Sequence, residues 1–499
     1  MFSVSSFSFT KSFFIVTIFT ISTLSTPLFA WATVNGIPVC TATNDQQNPV
    51  ITSDSAGGYI VTWQDYRNGV DGDIYAQRVN SQGSTLWTLD GIAVCSIGGD
   101  QLTPAMVSDG SGGAIITWQD NRSGHNNNPG VYAQRINSTG STLWKTNGVV
   151  ISTTYTGIGS VPNIISDGAG GVIITMYYNG GSFGSYLYGQ RVNAQGSTLW
   201  MNNGVPIFSG SNQGSPVIAR DGSGGIIVGW TDEGSYKIYV QRVSSTGSTL
   251  WSPNGNILST LGYFPYVNSI ASDTSGGAYI TWISSWDNAS PNQLFCQRID
   301  SQGSSLWATN GLDMSSTGNS PWYSMIVSDT SEHAVIIWQD NTNTTSFYPV
   351  YGGYISVQRI DNTGSTLWTH TLCTSGFNEV NPFYKPMVVN DGIGGAIITW
   401  TDYRSTTGNP GQGADIYAQK VNSNGSTLLA LNGVAICTAV NDQTVPIIAS
   451  NGAGGAVIVW QDFRNGSDWD IYAQSITGNV AIEDWVRYGL SEKKREIFP

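Results

Sequence analysis

The sequence predicts an all-β fold: an eight-bladed β-propeller of four-stranded antiparallel blades, closed by an N-terminal strand that completes the last blade. Three observations predict it. One stretch is written eight times. One run within each copy is apolar at successive positions. The eighth copy lacks a strand, and its counterpart stands at the other end of the chain.

The clearest copy runs from Pro104 to Val150. It opens with a short apolar run ending in Ser108-Asp109, turns through Gly110-Ser111-Gly112-Gly113, and continues as the β-rich run Ala114-Ile115-Ile116-Thr117-Trp118. Paired glycines accept positive φ without strain, and the Asp side chain can bond back to the turn amides. Two β-rich runs joined this way read as a hairpin, strands A and B. Strand C is Val131–Ile136; a second corner, Asn137-Ser138-Thr139-Gly140, leads through Ser141-Thr142-Leu143-Trp144 to strand D near Val149-Val150.

The first turn marks the other copies: Asp54, Asp167, Asp221, Asp273, Asp329, Asp391 and Asn451. The second turn ends in Trp87, Trp144, Trp200, Trp251, Trp307 and Trp368, with Leu429 in the seventh copy. The repeat is somewhat longer than the roughly 40–45 residues of the commonest propeller unit. Strand B is apolar throughout, so both of its faces must be covered, which a lone sheet cannot achieve. Radial stacking covers both and leaves only short edges.

The last copy ends at Ile471–Ile476 without a strand D. The segment Val34-Asn35-Gly36-Ile37-Pro38-Val39-Cys40 matches Asn432-Gly433-Val434-Ala435-Ile436-Cys437 closely enough to supply it. The first strand therefore clasps the ring shut.

The pattern SDGxGGxIxxWxDxR…DIYAQRxNSxGSTLW resembles that of secreted bacterial β-propeller repeat proteins, a largely uncharacterised group, and the resemblance spans Val34 to Thr477. It implies architecture and export and says little of activity. A more distant analogy is to the Asp-box corner of sialidase-type propellers, here Asp361-Asn362-Thr363-Gly364-Ser365-Thr366-Leu367-Trp368, with Asn replacing the Asp in most copies. That family implies three arginines and a Tyr–Glu pair about the axis. The sequence offers no such non-repeating set, so sialidase chemistry is not carried over.

At 499 residues the chain has length for several domains, yet the repeat makes residues 31–480 one ring. Charged residues are 11% and the net charge is -13, which leaves no electrostatic footprint for nucleic acid or an anionic membrane. Residues 1–30 read as a signal peptide: Lys11, the apolar run Phe13–Phe19, then Pro27-Leu28-Phe29-Ala30, with cleavage after Ala30 or Ala32. A secreted or cell-surface protein follows, with no membrane span once the signal is removed, and a monomer is expected. Cys40, Cys95, Cys373 and Cys437 share one slot at the end of strand D, and Cys296 stands apart in a strand C. Equivalent slots on different blades are too far apart for disulfides, so small buried thiols are expected. The tail, residues 481–499, carries Ile482, Trp485, Val486 and Leu490 at helical spacing.

The A–B and C–D turns share one face of the ring and are short and uniform. The B–C loops and D-to-A connections share the other, where the copies differ, and variable loops on a rigid scaffold are where function concentrates. Two recurring sets lie there. Asp65/Arg67, Asp120/Arg122, Asp402/Arg404 and Asp462/Arg464 begin B–C loops; Asp45-Gln46, Asp100-Gln101 and Asp442-Gln443 precede strand A. Because they recur, a structural role is expected of both.

A third set breaks the symmetry. The fifth to seventh copies enter strand A through Tyr263, Phe264, Tyr266, Trp322, Tyr323, Phe383 and Tyr384, and the loops of that sector add Trp286, Phe347, Tyr348 and Tyr351. Aromatic faces beside hydroxyls and amides suit sugar rings or Pro-rich peptides, so these residues form the expected ligand site, for a glycan or a protein. Catalysis has less to draw on. His125, His333 and His370 sit in unrelated settings, and Asp340, Glu379, Glu233 and Asp287 are acidic candidates by location alone. No Ser-His-Asp order, phosphate loop or zinc signature is present, so neither cofactor nor metal is expected. The expected function is a non-catalytic binding or adhesion module; the alternative is a polysaccharide-degrading hydrolase or lyase acting through paired carboxylates on the same face.

Overall fold

The computed structural model describes residues 31, 35–122, 124, 129–153, 161–179, 185–208, 214, 216–285, 291–315, 320–329, 331–341, 353–374, 385–404 and 413–477. Their strands form eight four-stranded sheets, each antiparallel in the order A-B-C-D. Blade 1 is typical: Gln46–Ser53, Tyr59–Asp65, Asp73–Val79 and Ile92–Cys95. The A strands ring the axis, each touching the next, and strand A of blade 8 (Gln443–Ser450) touches strand A of blade 1. Among these residues no helix is long and apolar enough to cross a membrane. The expected signal segment, the tail and the positions Trp286, Phe347, Tyr348, Tyr351, Phe383 and Tyr384 lie outside the described residues.

Strand B behaves as its composition requires. Tyr59–Asp65, Ala114–Asp120, Ala396–Asp402 and Ala456–Asp462 are buried at every residue. Each sheet is covered on both faces because the apolar clusters straddle blades. One cluster joins Ile51, Val61 and Trp63 of blade 1 to Val457, Val459 and Ile471 of blade 8.

The clasp forms as expected. Ile37–Cys40 is strand D of blade 8, pairing Ile37 with Ala473 and Pro38 with Tyr472. Val39 is buried, whereas Ile37 is only half-buried, so the strand's apolar contribution rests mainly on Val39 and Cys40. A further anchor precedes it. On the uniform-turn face the turn tryptophans donate to the next blade: Trp87 Nε1 to the Ser138 carbonyl at 3.1 Å and Trp144 Nε1 to Ala194 at 3.0 Å. Trp31 does the same for blade 8, donating to the Ser81 carbonyl at 3.0 Å while 2% exposed. It packs over Gly83, whose φ is 84° and where a Cβ would lie 2.8 Å from the indole.

The same face carries a charged staple. Asp54 caps its turn by accepting from the amides of Ala56 and Gly58 and pairs with Arg78, which reaches the Ser138 carbonyl of blade 2. Equivalent pairs are Arg135–Asp109, Arg191–Asp167, Arg242–Asp221, Arg298–Asp273 and Arg359–Asp329. In blade 7 Lys420 replaces the arginine against Asp391. In blade 8 both partners are neutral, Asn451 and Ser475, so no buried charge is left alone.

Replacing Trp31 by Ala should cost about 3–5 kcal/mol, as for other buried tryptophans, and lower the melting temperature by several degrees. Deleting residues 33–40 should lower it further. A thermal melt unchanged by either would show that the clasp does not hold the ring.

Candidate functional site

The loop-rich face begins with the recurring Asp-x-Arg set. Asp65 Oδ2 accepts from Trp63 Nε1 at 2.7 Å, and Arg67 grips both carboxylate oxygens, Nε to Oδ1 at 2.7 Å and Nη2 to Oδ2 at 2.6 Å. The guanidinium lies 3.8 Å from the Tyr75 ring centroid, donates to the Asp90 carbonyl and rests 3.3 Å from Cys40 Sγ of the preceding blade. Arg122, Arg404 and Arg464 repeat every contact with Tyr132 and Cys95, Tyr417 and Cys373, and Tyr472 and Cys437. The expected structural role is therefore found, and it reaches between blades. Each cysteine in the shared slot faces an arginine of the next blade. All five are free and buried, and burial pushes the Cys40, Cys95 and Cys437 thiols up to about 12.

The Asp-Gln set forms a second latch. At the junction of blades 8 and 1, Trp469 N donates to Asp45 Oδ1, Asn44 N to Asp468 Oδ2, and Gln46 N to the Trp469 carbonyl. Between blades 1 and 2 the same bonds join Gly72 to Asp100, Gly99 to Asp71 and Gln101 to Gly72. Gly413 and Ala414 likewise bond Asp442 at the junction of blades 7 and 8. Asp71 and Asp468 crowd a neighbouring carboxyl. Burial, reinforced by these charges, pushes Asp470 up to about 7 and Asp73 to about 6.

The Asp-x-Arg latch is present in blades 7, 8, 1 and 2, an unbroken arc centred on the closing seam, and the Asp-Gln latch joins the three junctions within that arc. Blades 3 to 6 depart from them, blade 3 having Met176 and Tyr178 where Trp63 and Asp65 would stand. Trp230, Trp282 and Trp338 fill the Trp63 position, yet their indole nitrogens are buried without a hydrogen-bond partner. Ser284 stands where Asp65 would be in blade 5. Asp340 of blade 6 accepts from Ser356 Oγ at 2.6 Å rather than from Trp338. Among the described residues, an unpartnered indole at this position occurs only in blades 4 to 6, and such local rule-breaking marks a sector where a chain departs from pure architecture.

That sector carries the aromatic residues. Tyr266 pairs with Ile283 and Trp322 with Gln339, the register slot that Gln47, Leu102 and Thr444 hold elsewhere. A bulge follows this slot, placing Asn48, Thr103, Tyr323 and Val445 at φ of 52°, 52°, 47° and 53°. Bulges re-aim side chains, and here they turn the start of strand A at the axial rim. Phe264 is 50% and Tyr266 42% exposed. Phe264 meets Tyr236 of the blade 4 loop edge-on, with centroids 5.2 Å apart. Trp322 and Tyr323 lie 6.0 Å apart and are half-buried. Burial pushes the Tyr323 hydroxyl up to about 12, with the nearby Tyr266 adding to the shift. Lys385 of blade 7 sets its Nζ 5.6 Å from the Tyr323 centroid.

The structure thus brings Phe264, Tyr266, Trp322 and Tyr323 onto one rim spanning two blades. Tyr263 begins strand A of blade 5 (Tyr263–Ser272), and its side chain lies outside the described set. Tyr236 and Lys385 join the rim through contacts between blades and carry no sequence signal, since neither belongs to the aromatic entry pattern. Beside the rim lies a shallow recess lined by Leu261, Gly262, Ser284, Ser285, Gln293 and Phe295, too tight to serve as a small-molecule pocket. The rim is an open platform. Of the acidic candidates, Asp340 is 1% exposed and held by Ser356, which withdraws it from an extended substrate. Glu233 is exposed on the blade 4 loop; Glu379 and Asp287 lie outside the described residues. His333 sits beside Asp329 and Arg359 in the opposite face's staple, and His370 packs on Trp368. Among the described residues no three His, Cys, Asp or Glu side chains gather to hold a metal.

Raised carboxyl pKa values fix a pH dependence. Asp470 and Asp73 favour the folded state most below about pH 4, where the unfolded carboxyl is also protonated, and that contribution is lost as pH rises through about 6 to 7. The melting temperature should therefore fall between pH 5 and 8, and Asp470→Asn should shrink the fall. Identical pH slopes for the two proteins would contradict the assignment.

No family model and no curated protein sequence matches the chain. Solved structures do. The BP39L lectin from Burkholderia pseudomallei aligns with a TM-score of 0.50 at 11% identity, over 78% of this chain and 97% of the lectin. The polysaccharide lyase Uly1 aligns at 0.46 and 11% identity, over 87% of this chain and all of the lyase. A protein of unknown function from Dyadobacter fermentans aligns at 0.35 and 12% identity, over 63% and 93%. At such identities the likeness is one of fold: the chain is an eight-bladed β-propeller whose structural neighbours include a lectin and polysaccharide lyases.

Proposed function

We propose that the protein is a secreted or cell-surface binding module that recognises carbohydrate, without catalysis, on the rim of blades 4 to 6. One observation carries the reading. The half-exposed rings of Phe264 and Tyr266 stand in the blades that have given up the loop-face latches. Sugar rings present flat C–H faces, and aromatic platforms bind them with little loss of conformational freedom. Tyr266 and Tyr323 hydroxyls add donors and acceptors at the edge. A lectin among the fold's neighbours agrees with a propeller used this way.

The rival reading, a polysaccharide-degrading enzyme, needs two carboxyl groups flanking one bond. The burial of Asp340 counts against its part in such a pair.

A glycan array tests the proposal. The intact protein should bind a restricted set of glycans, and Phe264→Ala and Tyr266→Ala should each weaken binding by about twofold to tenfold, the value of one ring contact. Their melting temperatures should stay close to the parent's, since both rings are half-exposed. Binding that neither variant alters places the site elsewhere. Release of sugar fragments from a bound polysaccharide would replace recognition with catalysis.

A further inference from the structure

We infer that the ligand of this rim is an acidic glycan, one carrying carboxylate or sulfate groups, and that Lys385 is the residue that selects it. The inference rests on the rim being a carbohydrate site and adds the charge of its ligand. The chain carries a net charge of -13, so cations are scarce. The latches and staples absorb most of the described ones: Arg67, Arg122, Arg404 and Arg464 on one face, six arginines and Lys420 on the other, while the exposed Lys145 lies on a turn of blade 2, away from the rim. Lys237 stands opposite Asp232 across the blade 4 hairpin, and Arg220 adjoins Asp221 on the uniform-turn face. Lys385 differs from all of these. It is exposed, lies at the aromatic rim, and forms no ion pair among the described residues.

Its placement suits selection. The Nζ sits 5.6 Å from the Tyr323 centroid, so the ring holds the ammonium by a cation–π contact while leaving its protons free for an anion. The neighbouring Tyr323 hydroxyl, pushed up to about 12, stays protonated and puts no negative charge beside an incoming carboxylate. Phe264 and Tyr266 then carry the sugar faces across blade 5. A chain bearing anionic groups would stack on the rings and pair one group with Lys385, a charge-assisted contact stronger than a neutral hydrogen bond.

The experiment compares the intact protein on polygalacturonate, alginate and chondroitin sulfate with its binding to carboxyl-reduced polygalacturonate, a neutral chain of similar length. At least one acidic polymer should be preferred over the neutral chain by about tenfold, and the preference should fall as salt is raised. Lys385→Gln should abolish the preference, and Lys385→Arg should keep it. Lys145→Gln, on a turn away from the rim, serves as the control. Equal binding to acidic and neutral chains, lost in Tyr266→Ala but unchanged in Lys385→Gln, overturns the charge selection while leaving carbohydrate recognition standing. An acidic preference that survives in Lys385→Gln assigns the selectivity to another residue and overturns the inference. Failure to bind any of the acidic polymers by a protein that does bind neutral glycans on the array overturns the inference, and failure on the array as well overturns both readings.

Discussion

A carboxylate buried between two blades has to be satisfied on every side, and that demand organises one half of this ring. Asp65, Asp120, Asp402 and Asp462 are essentially inaccessible, yet each is met by an indole N–H, a backbone amide and a two-pronged arginine. The arginine is itself sandwiched between a tyrosine face and the thiol of the preceding blade. Removing one partner would strand a buried charge, at a cost of about 3–5 kcal/mol for pairs of this kind. Each latch therefore fixes both the distance and the angle between neighbouring sheets.

The latches are not spread evenly. They fill the arc of blades 7, 8, 1 and 2, where the two ends of the chain meet and a non-covalent seam must resist opening. Arg464 reaches across that seam to the Asn35 carbonyl, and Asp45 is bonded from Trp469. The opposite arc is covalently continuous and needs less reinforcement. There the indoles of Trp230, Trp282 and Trp338 go unpartnered. The rim slots hold aromatic rings in place of glutamine, leucine and threonine. Stability and recognition thus divide the circle between them. The staples of the other face run through blades 1 to 6 and, as Lys420–Asp391, into blade 7, so the looser arc keeps its spacing.

Much of this was legible in the sequence because a repeat prints its architecture many times. The glycine corners, the all-apolar strand B and the displaced strand D each had several copies to compare. The structural role of Asp-x-Arg was legible for the same reason. Its reach between blades was not, since Arg67 and Cys40 belong to different copies; the signal was the habit of cysteine to end the copy before each Asp-x-Arg, with Ser152 and Ser259 before copies that lack it. The anchoring role of Trp31 was not legible, because its partner lies fifty residues on, in a turn of blade 1. The site was half legible. Phe264, Tyr266, Trp322 and Tyr323 stood out as breaks in a pattern, but Tyr236 and Lys385 join them only through contacts between blades.

The central claim is that the ligand lies on the unlatched arc. Hydrogen exchange of the intact protein, with and without the polysaccharide it binds most tightly, tests this blade by blade. The account predicts added protection in the segments around Tyr236, Phe264–Tyr266 and Trp322–Tyr323, with the matching segments at Gln46, Gln101 and Gln443 unchanged. Protection centred on the latched arc, or spread evenly around the ring, would contradict it.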